Sequence, residues 1–260
     1  MEGSSCHVGY RSCFYRSVPL GKIDNARQIE MKFEEEEKNL IQRLFIKDNL
    51  IQQKYKKLMK VLSPFGPKIA VVKIPLNLVK KINDEVESII KDKKKLKSND
   101  YSKKLVGQVE QEIELKNKFI KKNLKSFISK SVNQYLKKNL NKKSKNIKIK
   151  NLWVVRQFKN DYNPIHFHDG NVSGVGYLKI PNNLTKGHKK IKTNGTIDFI
   201  YGSKSFLNNS IFNHKPKVGD LILFPNNLMH TAYPFKSDGE RRSFSFNIDI
   251  DKKLTRLFHA

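Results

Sequence analysis

Two histidines separated by one residue occur in the segment Asn163-Pro-Ile-His166-Phe-His168-Asp169-Gly170. On an extended strand residues i and i+2 point to the same face, so His166 and His168 would face one space. Two converging imidazoles could supply two of the ligands of a divalent metal ion. Asp169 faces the other way on an ideal strand, but Gly170 ends the strand there and the carboxylate could turn inward. Strand geometry favours His168 as the further ligand and leaves Asp169 as the alternative.

Two later segments carry residues that suit the same chemistry. The segment Gly219-Asp-Leu-Ile-Leu-Phe-Pro225 is typical of a turn, a strand and a stop, and His230 opens the strand that follows. In a rolled sheet His230 could meet the earlier pair. Alternation along a strand puts Arg241 and Ser243 on one face, where a cation and a hydroxyl fit a carboxylate. Arg242 lies on the other face, and we expect it to be solvated.

The elements that must position these side chains are short strands. After Asn151, runs rich in β-branched and aromatic residues are separated by Gly, Pro and Asn. Strands at such short intervals predict an antiparallel sandwich or barrel. The predicted strands are Leu152–Phe158, Ser173–Ile180, Thr196–Tyr201, Asp220–Phe224 and Ser243–Ile250.

The first 150 residues have a different sequence pattern, in which apolar residues recur at helical spacing. Residues 1–30 show no periodicity and are typical of a tail. The spacing predicts helices from Phe33 to about Met59, from Pro75 onward, and from about Gln111 to Leu136. A β-branched run at Ile69–Ile74 predicts a strand among them. The fold class expected from the whole chain is α+β, with a helical layer that supports a β-barrel.

The order of motifs in the second half resembles the iron(II)- and 2-oxoglutarate-dependent oxygenases. The resemblance is closest to their prolyl-hydroxylase-like branch found in marine bacteria and viruses, and it covers about residues 151–250. A single histidine motif would be weak evidence, but the ordered set is specific. The motifs are, in chain order, His166-x-His168, Ser173-Gly-Val-Gly-Tyr-Leu178, Gly219-Asp-Leu-Ile-Leu-Phe-Pro225, His230 and Arg241-x-Ser243.

The resemblance implies a double-stranded β-helix (jelly-roll) supported by N-terminal helices. It implies an enzyme that uses Fe(II), O2 and 2-oxoglutarate as cosubstrate, supported by ascorbate, and that releases succinate and CO2 as it hydroxylates a substrate. Carried over by position, His166 and His230 match the metal-binding histidines. Arg241 and Ser243 match the residues that hold the distal carboxylate of 2-oxoglutarate. A prolyl or other protein side chain is the expected substrate on family analogy alone.

The sequence departs from the family at one position. The usual third ligand is an acid two residues after the first histidine, and His168 stands there. The site is therefore either a three-histidine site, with His166, His168 and His230 as ligands, or one in which Asp169 supplies the carboxylate. A neutral third ligand leaves the site one negative charge short, which would weaken its hold on Fe(II). On this resemblance we expect residues 1–62 to be a partly disordered tail and helix, and residues 63–260 to be the oxygenase domain.

The charge of the chain suggests other classes of protein. Its 52 Lys+Arg and 24 Asp+Glu give a formal net charge of +28, which is typical of nucleic-acid binders. The Lys runs are poor in the interleaved aromatic residues that single-strand binding needs, and codon bias in an AT-rich genome, which we favour, explains the abundance of Lys, Asn and Ile. A cupin-like metal protein is a further alternative, but it leaves Arg241 and Ser243 without a role.

Composition also bears on location. Cys6 and Cys13 are the two cysteines, so a disulfide framework is excluded. No stretch approaches the roughly 18 apolar residues that cross a bilayer, and the opening segment does not resemble a secretory signal. We therefore expect a cytoplasmic protein that does not contact a membrane.

Overall fold

The computed structural model divides the chain into two compact units, residues 1–55 and 56–260. In the first unit residues 35–44 form a helix, α1, which is part of the helix predicted from Phe33. The predicted tail and residues 45–58 lie outside the described residues. The structure describes residues 35–44, 59–62, 66–187, 193–206 and 208–256.

The helices of the second unit cover one side of a large sheet. Pro75 caps the helix predicted after it, and the apolar stripe of that helix is buried. None of the helices among the described residues is both long and apolar enough to cross a membrane. The helices are α2 (Leu76–Ile90), α3 (Lys93–Ser98), α4 (Asn117–Phe119), α5 (Lys125–Leu140) and α6 (Lys252–Thr255), with a π-helical turn Ile120–Leu124 between α4 and α5.

Eleven strands lie among the described residues of the second unit, and every pair of neighbouring strands is antiparallel. The α+β class with antiparallel sheets is confirmed. The strands are β1 (Met59–Leu62), β2 (Ile69–Lys73), β3 (Gln111–Glu114), β4 (Lys148–Gln157), β5 (Asn163–His166), β6 (Val172–Lys179), β7 (Ile197–Ile200), β8 (Ile211–His214), β9 (Asp220–Pro225), β10 (Met229–Ala232) and β11 (Arg241–Asp249).

These strands form two sheets. The major sheet has seven strands in the order β1-β2-β9-β6-β11-β4-β3, and the minor sheet has four in the order β5-β10-β7-β8. From β4 onward the chain passes back and forth between the two sheets, so strands that are distant in sequence become neighbours. This topology places β5, β10 and β11, which carry the candidate site residues, in two sheets rather than one.

The core has two layers. One apolar cluster packs the helices against the major sheet through residues such as Ile82, Ile128 and Phe244. A second cluster joins the two sheets through Tyr177, Phe199 and Phe224.

Two glycines of β6 permit the first layer to close. A Cβ at Gly176 would lie 2.3 Å from the Phe244 ring, and a Cβ at Gly174 would lie 2.3 Å from the Phe246 ring. Both positions therefore need a residue without a side chain.

One predicted helix begins later than its periodicity indicated. Residues Gln111–Glu114 form strand β3, paired with β4, and the helix starts at Asn117. The tertiary pairing with β4 outweighs the local helical pattern, because an edge strand here completes the major sheet. The shift matters for function, since β3 borders the cavity described below.

Candidate active site

The first two histidines of the candidate site are brought together by strand pairing. His166 on β5 lies directly opposite His230 on β10, although they are far apart in the chain. His168 follows the end of β5, where its backbone N–H donates to the carbonyl of Asn226 at 2.8 Å and the Asn226 side chain donates to the His168 carbonyl at 3.2 Å. The clamp by Asn226 holds the third imidazole beside the first two.

The three imidazoles form one compact cluster. One ring nitrogen from each of His166, His168 and His230 lies within 4.8 Å of the other two. The Nε2 atoms of His166 and His168 are 3.3 Å apart. The ring centroids of His166 and His230 are 4.3 Å apart, and those of His168 and His230 are 4.8 Å apart. Three nitrogens this close can bind one metal ion.

The other ring nitrogens show which way each imidazole presents its lone pair. Nδ1 of His166 is 2.7 Å from the carbonyl of Pro164, and Nδ1 of His230 is 3.0 Å from the carbonyl of Leu228. Since a carbonyl only accepts, both Nδ1 atoms donate, and the proton of a neutral ring sits there. Each Nε2 then carries a lone pair.

The partner of His168 Nδ1 is the side-chain oxygen of Asn247, at 2.9 Å, which also accepts from the Ser173 hydroxyl at 3.1 Å. With protons on the Nδ1 atoms, the close approach of the His166 and His168 Nε2 atoms brings two lone pairs together. Such a contact is repulsive unless a cation lies between them. The hydrogen bonds that the three Nδ1 atoms donate are of the kind that commonly orients metal-binding histidines.

Burial keeps the three imidazoles neutral. It is the main cause that lowers the pKa of His166, that lowers the pKa of His168 to about 4, and that lowers the pKa of His230 well below its ordinary value. The neighbouring imidazoles add to the effect at His168 and His230. A neutral ring is the form that binds a metal, so the cluster holds its lone pairs ready at neutral pH.

Asp169 lies at the exposed edge of the cavity and is not part of the cluster. Its side chain is 80% exposed, and its carboxylate lies 3.7 Å from the ammonium of Lys150. Gly170, which follows it, has a φ of +83° that turns the chain away from the strand. His168 is buried instead, so in this structure the imidazole and not the carboxylate joins His166 and His230.

A cavity of about 330 Å³ opens beside the three histidines. Its wall on the major sheet is the inward face of β11, where alternate residues from Arg241 to Asn247 line it. The predicted pair Arg241 and Ser243 therefore lies in the same cavity as the histidines. The neighbouring strands add Gln157 and Tyr177, which the sequence analysis did not assign to the site. Their strand positions, opposite Arg241 and Ser243, could only be known from the register.

Arg241 is a buried cation with neutral partners. It donates through Nη1 to the carbonyl of Gly195 at 2.6 Å and through Nη2 to the side-chain oxygen of Gln157. Its Nε has no hydrogen-bond partner, and the salt bridges among the described residues include none to Arg241. Burial lowers the pKa of this guanidinium. A buried charge of this kind favours an anionic ligand, because such a ligand would neutralise it.

Arg242 occupies the opposite face of β11 as expected, but its predicted solvation is wrong. Its side chain is 2% exposed and forms ion pairs with Glu240 at 2.8 Å and with Glu87 at 2.7 Å. Helix α2 packs over this face of the sheet and supplies both Glu87 and Asn83, the latter accepting at 3.1 Å. The helical layer therefore buries a residue that strand alternation alone assigned to solvent.

Comparisons with known proteins bear on the same region. The family described as "Putative 2OG-Fe(II) oxygenase" matches residues 151–247. None of the curated proteins matches the chain. The matched residues include His166, His168, His230, Arg241 and Ser243.

A comparison with solved structures also gave matches. A prolyl-4-hydroxylase from Pseudomonas putida is 14% identical, with a TM-score of 0.49 and coverage of 75% of this chain and 93% of that one. The viral collagen prolyl hydroxylase of Paramecium bursaria Chlorella virus-1 is 17% identical, with a TM-score of 0.44 and coverage of 74% and 95%. HygX from Streptomyces hygroscopicus, with iron bound, is 11% identical, with a TM-score of 0.47 and coverage of 71% and 83%.

The family match and the motif order agree on one assignment. Both cover the three histidines and the buried arginine. Residues 151–247 of this chain match the model of the 2OG-Fe(II) oxygenase family.

Proposed function

We propose that this protein is an Fe(II)- and 2-oxoglutarate-dependent dioxygenase that hydroxylates a substrate and releases succinate and CO2. One observation carries the proposal. A single cavity is lined both by three neutral imidazoles with converging lone pairs and by a buried guanidinium without an anionic partner. The first feature suits a divalent metal and the second suits a carboxylate.

The metal would be held by Nε2 of His166, His168 and His230. Three protein ligands leave open positions on a non-haem iron, as its oxygenase chemistry requires. The hydrogen bonds from the Nδ1 atoms fix the rings before the metal arrives, which reduces the reorganisation on binding. All three ligands are neutral, so the charge of the ion is left for an anionic cosubstrate to balance.

The distal carboxylate of 2-oxoglutarate would be bound by Arg241, with the Ser243 hydroxyl as a second donor. Binding an anion supplies the guanidinium with the counter-charge that it lacks, and the burial of Arg241 excludes water that would weaken the contact. The Gln157 side chain and the Gly195 carbonyl hold the guanidinium in position. When bound, iron and 2-oxoglutarate supply the activation of O2 for hydroxylation, and ascorbate would keep the iron reduced.

We further propose that the two sheets are the halves of a double-stranded β-helix, within an oxygenase domain that includes β1 and spans residues 59–260. The passage of the chain between major and minor sheets from β4 to β11 supports this interpretation. The separate tail and helix would end before Met59, because Met59–Leu62 form strand β1 of the major sheet and so belong with the domain. A prolyl or other protein side chain remains the proposed substrate, and a reducing, cytoplasmic location is proposed from the cysteine content.

Two measurements test the proposal. Purified protein with Fe(II), ascorbate and 2-oxoglutarate should form succinate, and chelation of the metal should stop it. Titration of 2-oxoglutarate into the metal-loaded protein should show binding that Arg241→Met weakens by about tenfold or more, since a charge-assisted bond is lost.

Lys104→Met is the matched control, because Lys104 lines the same cavity but is exposed. It should leave 2-oxoglutarate binding unchanged. Metal binding without any binding of 2-oxoglutarate would instead support the alternative of a cupin-like metal protein.

A further inference from the structure

Glu112 lies on the cavity wall in line with the residues of the proposed cosubstrate site. It is on the edge strand β3 and pairs with Val155 of β4, which in turn pairs with Ser243 of β11. These three residues share a line across the inward face of the major sheet, and all three border the cavity. Two strand spacings place Glu112 about 10 Å from Ser243, beyond the position proposed for 2-oxoglutarate.

The carboxyl group of Glu112 is buried without a partner. The residue is 2% exposed, and neither side-chain oxygen has a hydrogen bond. The segment around Gly107 covers it, since a Cβ at Gly107 would lie 2.7 Å from Oε1. The ammonium of Lys104, the nearby cation on the cavity wall, lies 4.8 Å above the Tyr101 ring.

The other buried acids among the described residues are all satisfied. Glu240 accepts from Arg156 and Arg242, and Asp220 is paired with Lys73 and His214. Asp198 accepts from the side chains of Asn213 and Tyr233. Glu112 is therefore the exception within this part of the chain, and it is the one buried acid that borders the cavity.

We propose that Glu112 binds a cationic nitrogen, an ammonium or a guanidinium, of the primary substrate. This inference rests on the proposed function, because it takes the cavity to be the place where the substrate is hydroxylated. A cation would give the buried carboxylate the counter-charge that the protein does not supply, and it would do so with a charge-assisted hydrogen bond. Asp100, whose charge also acts on Glu112, adds to the negative potential there.

The geometry also limits the substrate. The cation would lie on the β3 side of the cavity, while the reacting carbon must approach the three histidines. Because both carboxyl oxygens are covered, the segment that carries Gly107 must shift as the cation enters. The burial of Glu112 raises its pKa to about 7, and binding of a cation would bring that pKa down.

The test is a titration of the metal-free protein, which needs neither turnover nor 2-oxoglutarate. The probes are n-butylammonium and n-butylguanidinium, with n-butanol as the uncharged comparison, followed by NMR at about pH 8, where the carboxylate is ionised. Wild-type protein should bind the two cations and not the alcohol. Glu112→Gln should weaken cation binding by about tenfold or more.

Glu114→Gln is the matched control, since it removes a charge from the same strand at a residue that does not border the cavity. It should bind the cations as wild type does. Equal binding of cations by wild type and Glu112→Gln, or no binding of them by wild type, would overturn the inference. Failure of the enzyme assay with selective cation binding would overturn the proposed function and leave Glu112 as the cation-binding residue of a cavity with another role.

A structural role for Glu112 predicts a different result. If the carboxyl group stabilised the fold, Glu112→Gln and Glu112→Met would both lower the melting temperature. Because the group has no partner to lose, we expect both variants to melt at or above the wild-type temperature. Lower melting of both would overturn the inference.

Discussion

The two faces of strand β11 carry neighbouring buried arginines whose surroundings differ. Arg242, on the face covered by helix α2, is held by Glu240 and Glu87 in ion pairs of 2.7–2.8 Å. Arg241, on the cavity face, donates to a backbone carbonyl and to the amide oxygen of Gln157. One arginine has its charge neutralised within the protein, and the other does not.

The same contrast holds beyond the arginines. On the helix side the charges are paired and the apolar residues are tightly packed. On the cavity side lie three imidazole lone pairs, an unpartnered Nε on Arg241 and an unpartnered carboxyl on Glu112. A buried charge that lacks a counter-charge and a full set of hydrogen bonds costs stability. Among the described residues, Arg241 and Glu112 are the buried charged side chains of this kind, and both line the cavity, which indicates groups that await ligands. The paired charges and apolar packing on the helix side stabilise the fold. The uncompensated groups on the cavity side lower its stability but are available to bind ligands.

The largest expected effect concerns the histidines. His166→Ala and His230→Ala should each reduce metal content and succinate formation by about 100-fold or more, because two nitrogens cannot hold the ion in a shielded site. Metal analysis of the purified variants and the succinate assay measure this. The variants should remain folded by circular dichroism. Retention of stoichiometric metal by either variant would remove that histidine from the site.

Substitution of each arginine in turn should show that Arg242 contributes to stability and Arg241 to ligand binding. Arg242→Met should lower the free energy of unfolding by about 3 kcal/mol, because it removes one of the two buried arginine partners of Glu240 and leaves Arg156 as the other. Arg241→Met should change that free energy by less than about 1 kcal/mol, since it removes an uncompensated charge, while it weakens 2-oxoglutarate binding by about tenfold or more. Urea denaturation measures the first quantity for both variants. Equal destabilisation by the two substitutions would contradict the contrast between the faces.

The glutamates on the two sides should respond to pH in opposite directions. The pKa of Glu240 is lowered to about 2 from 4.5, through its bonds to Arg242 and Arg156 against the opposing effect of burial. Its contribution is therefore complete above pH 4.5 and lost as the pH falls toward 2. Burial raises the pKa of Glu112 from 4.5 to about 7, so its ionisation destabilises the fold as the pH rises between those values.

The measurement is the free energy of unfolding of wild type and Glu112→Gln across that range. Wild type should lose stability relative to Glu112→Gln as the pH rises from 4.5 to 7. A constant difference between the two proteins would show that the carboxyl group titrates normally.

The smallest expected effect distinguishes two adjacent residues. Asp169→Ala should leave iron content unchanged, because the side chain is exposed beside Lys150. His168→Ala should weaken metal binding by about 100-fold or more, as His166→Ala and His230→Ala do, since it too leaves two nitrogens. Iron content at limiting metal concentration compares the two. Loss of iron only in Asp169→Ala would mean that the carboxylate turns inward when the metal binds.

Local rules predicted much of this protein from its sequence. The alternation of a strand places His166 near His168 and puts Arg241 and Ser243 on a common face, because side chains repeat every two residues. The apolar spacing after Pro75 predicted helix α2, and the change in texture after Asn151 predicted the β region. The motif order predicted the oxygenase family, which the family match confirms.

Where tertiary pairing overrides a local pattern, sequence rules failed. Residues Gln111–Glu114 have helical spacing but form an edge strand, because β4 offers them a partner. Arg242 is on the expected face, yet it is buried, because helix α2 covers that face with Glu87. Neither partner is near in sequence, so no local rule could supply it.

The sequence by itself therefore determined which residue types could bind a metal and a carboxylate, and which of them share a strand face. Only the tertiary structure decided that His230 lies opposite His166, that His168 rather than Asp169 completes the cluster, and that Glu112 borders the same cavity. The physical reason is that the pairing and register of distant strands depend on the burial of whole faces. The free energy of burying such a face is shared among many residues, so it cannot be assigned to any one segment of the sequence.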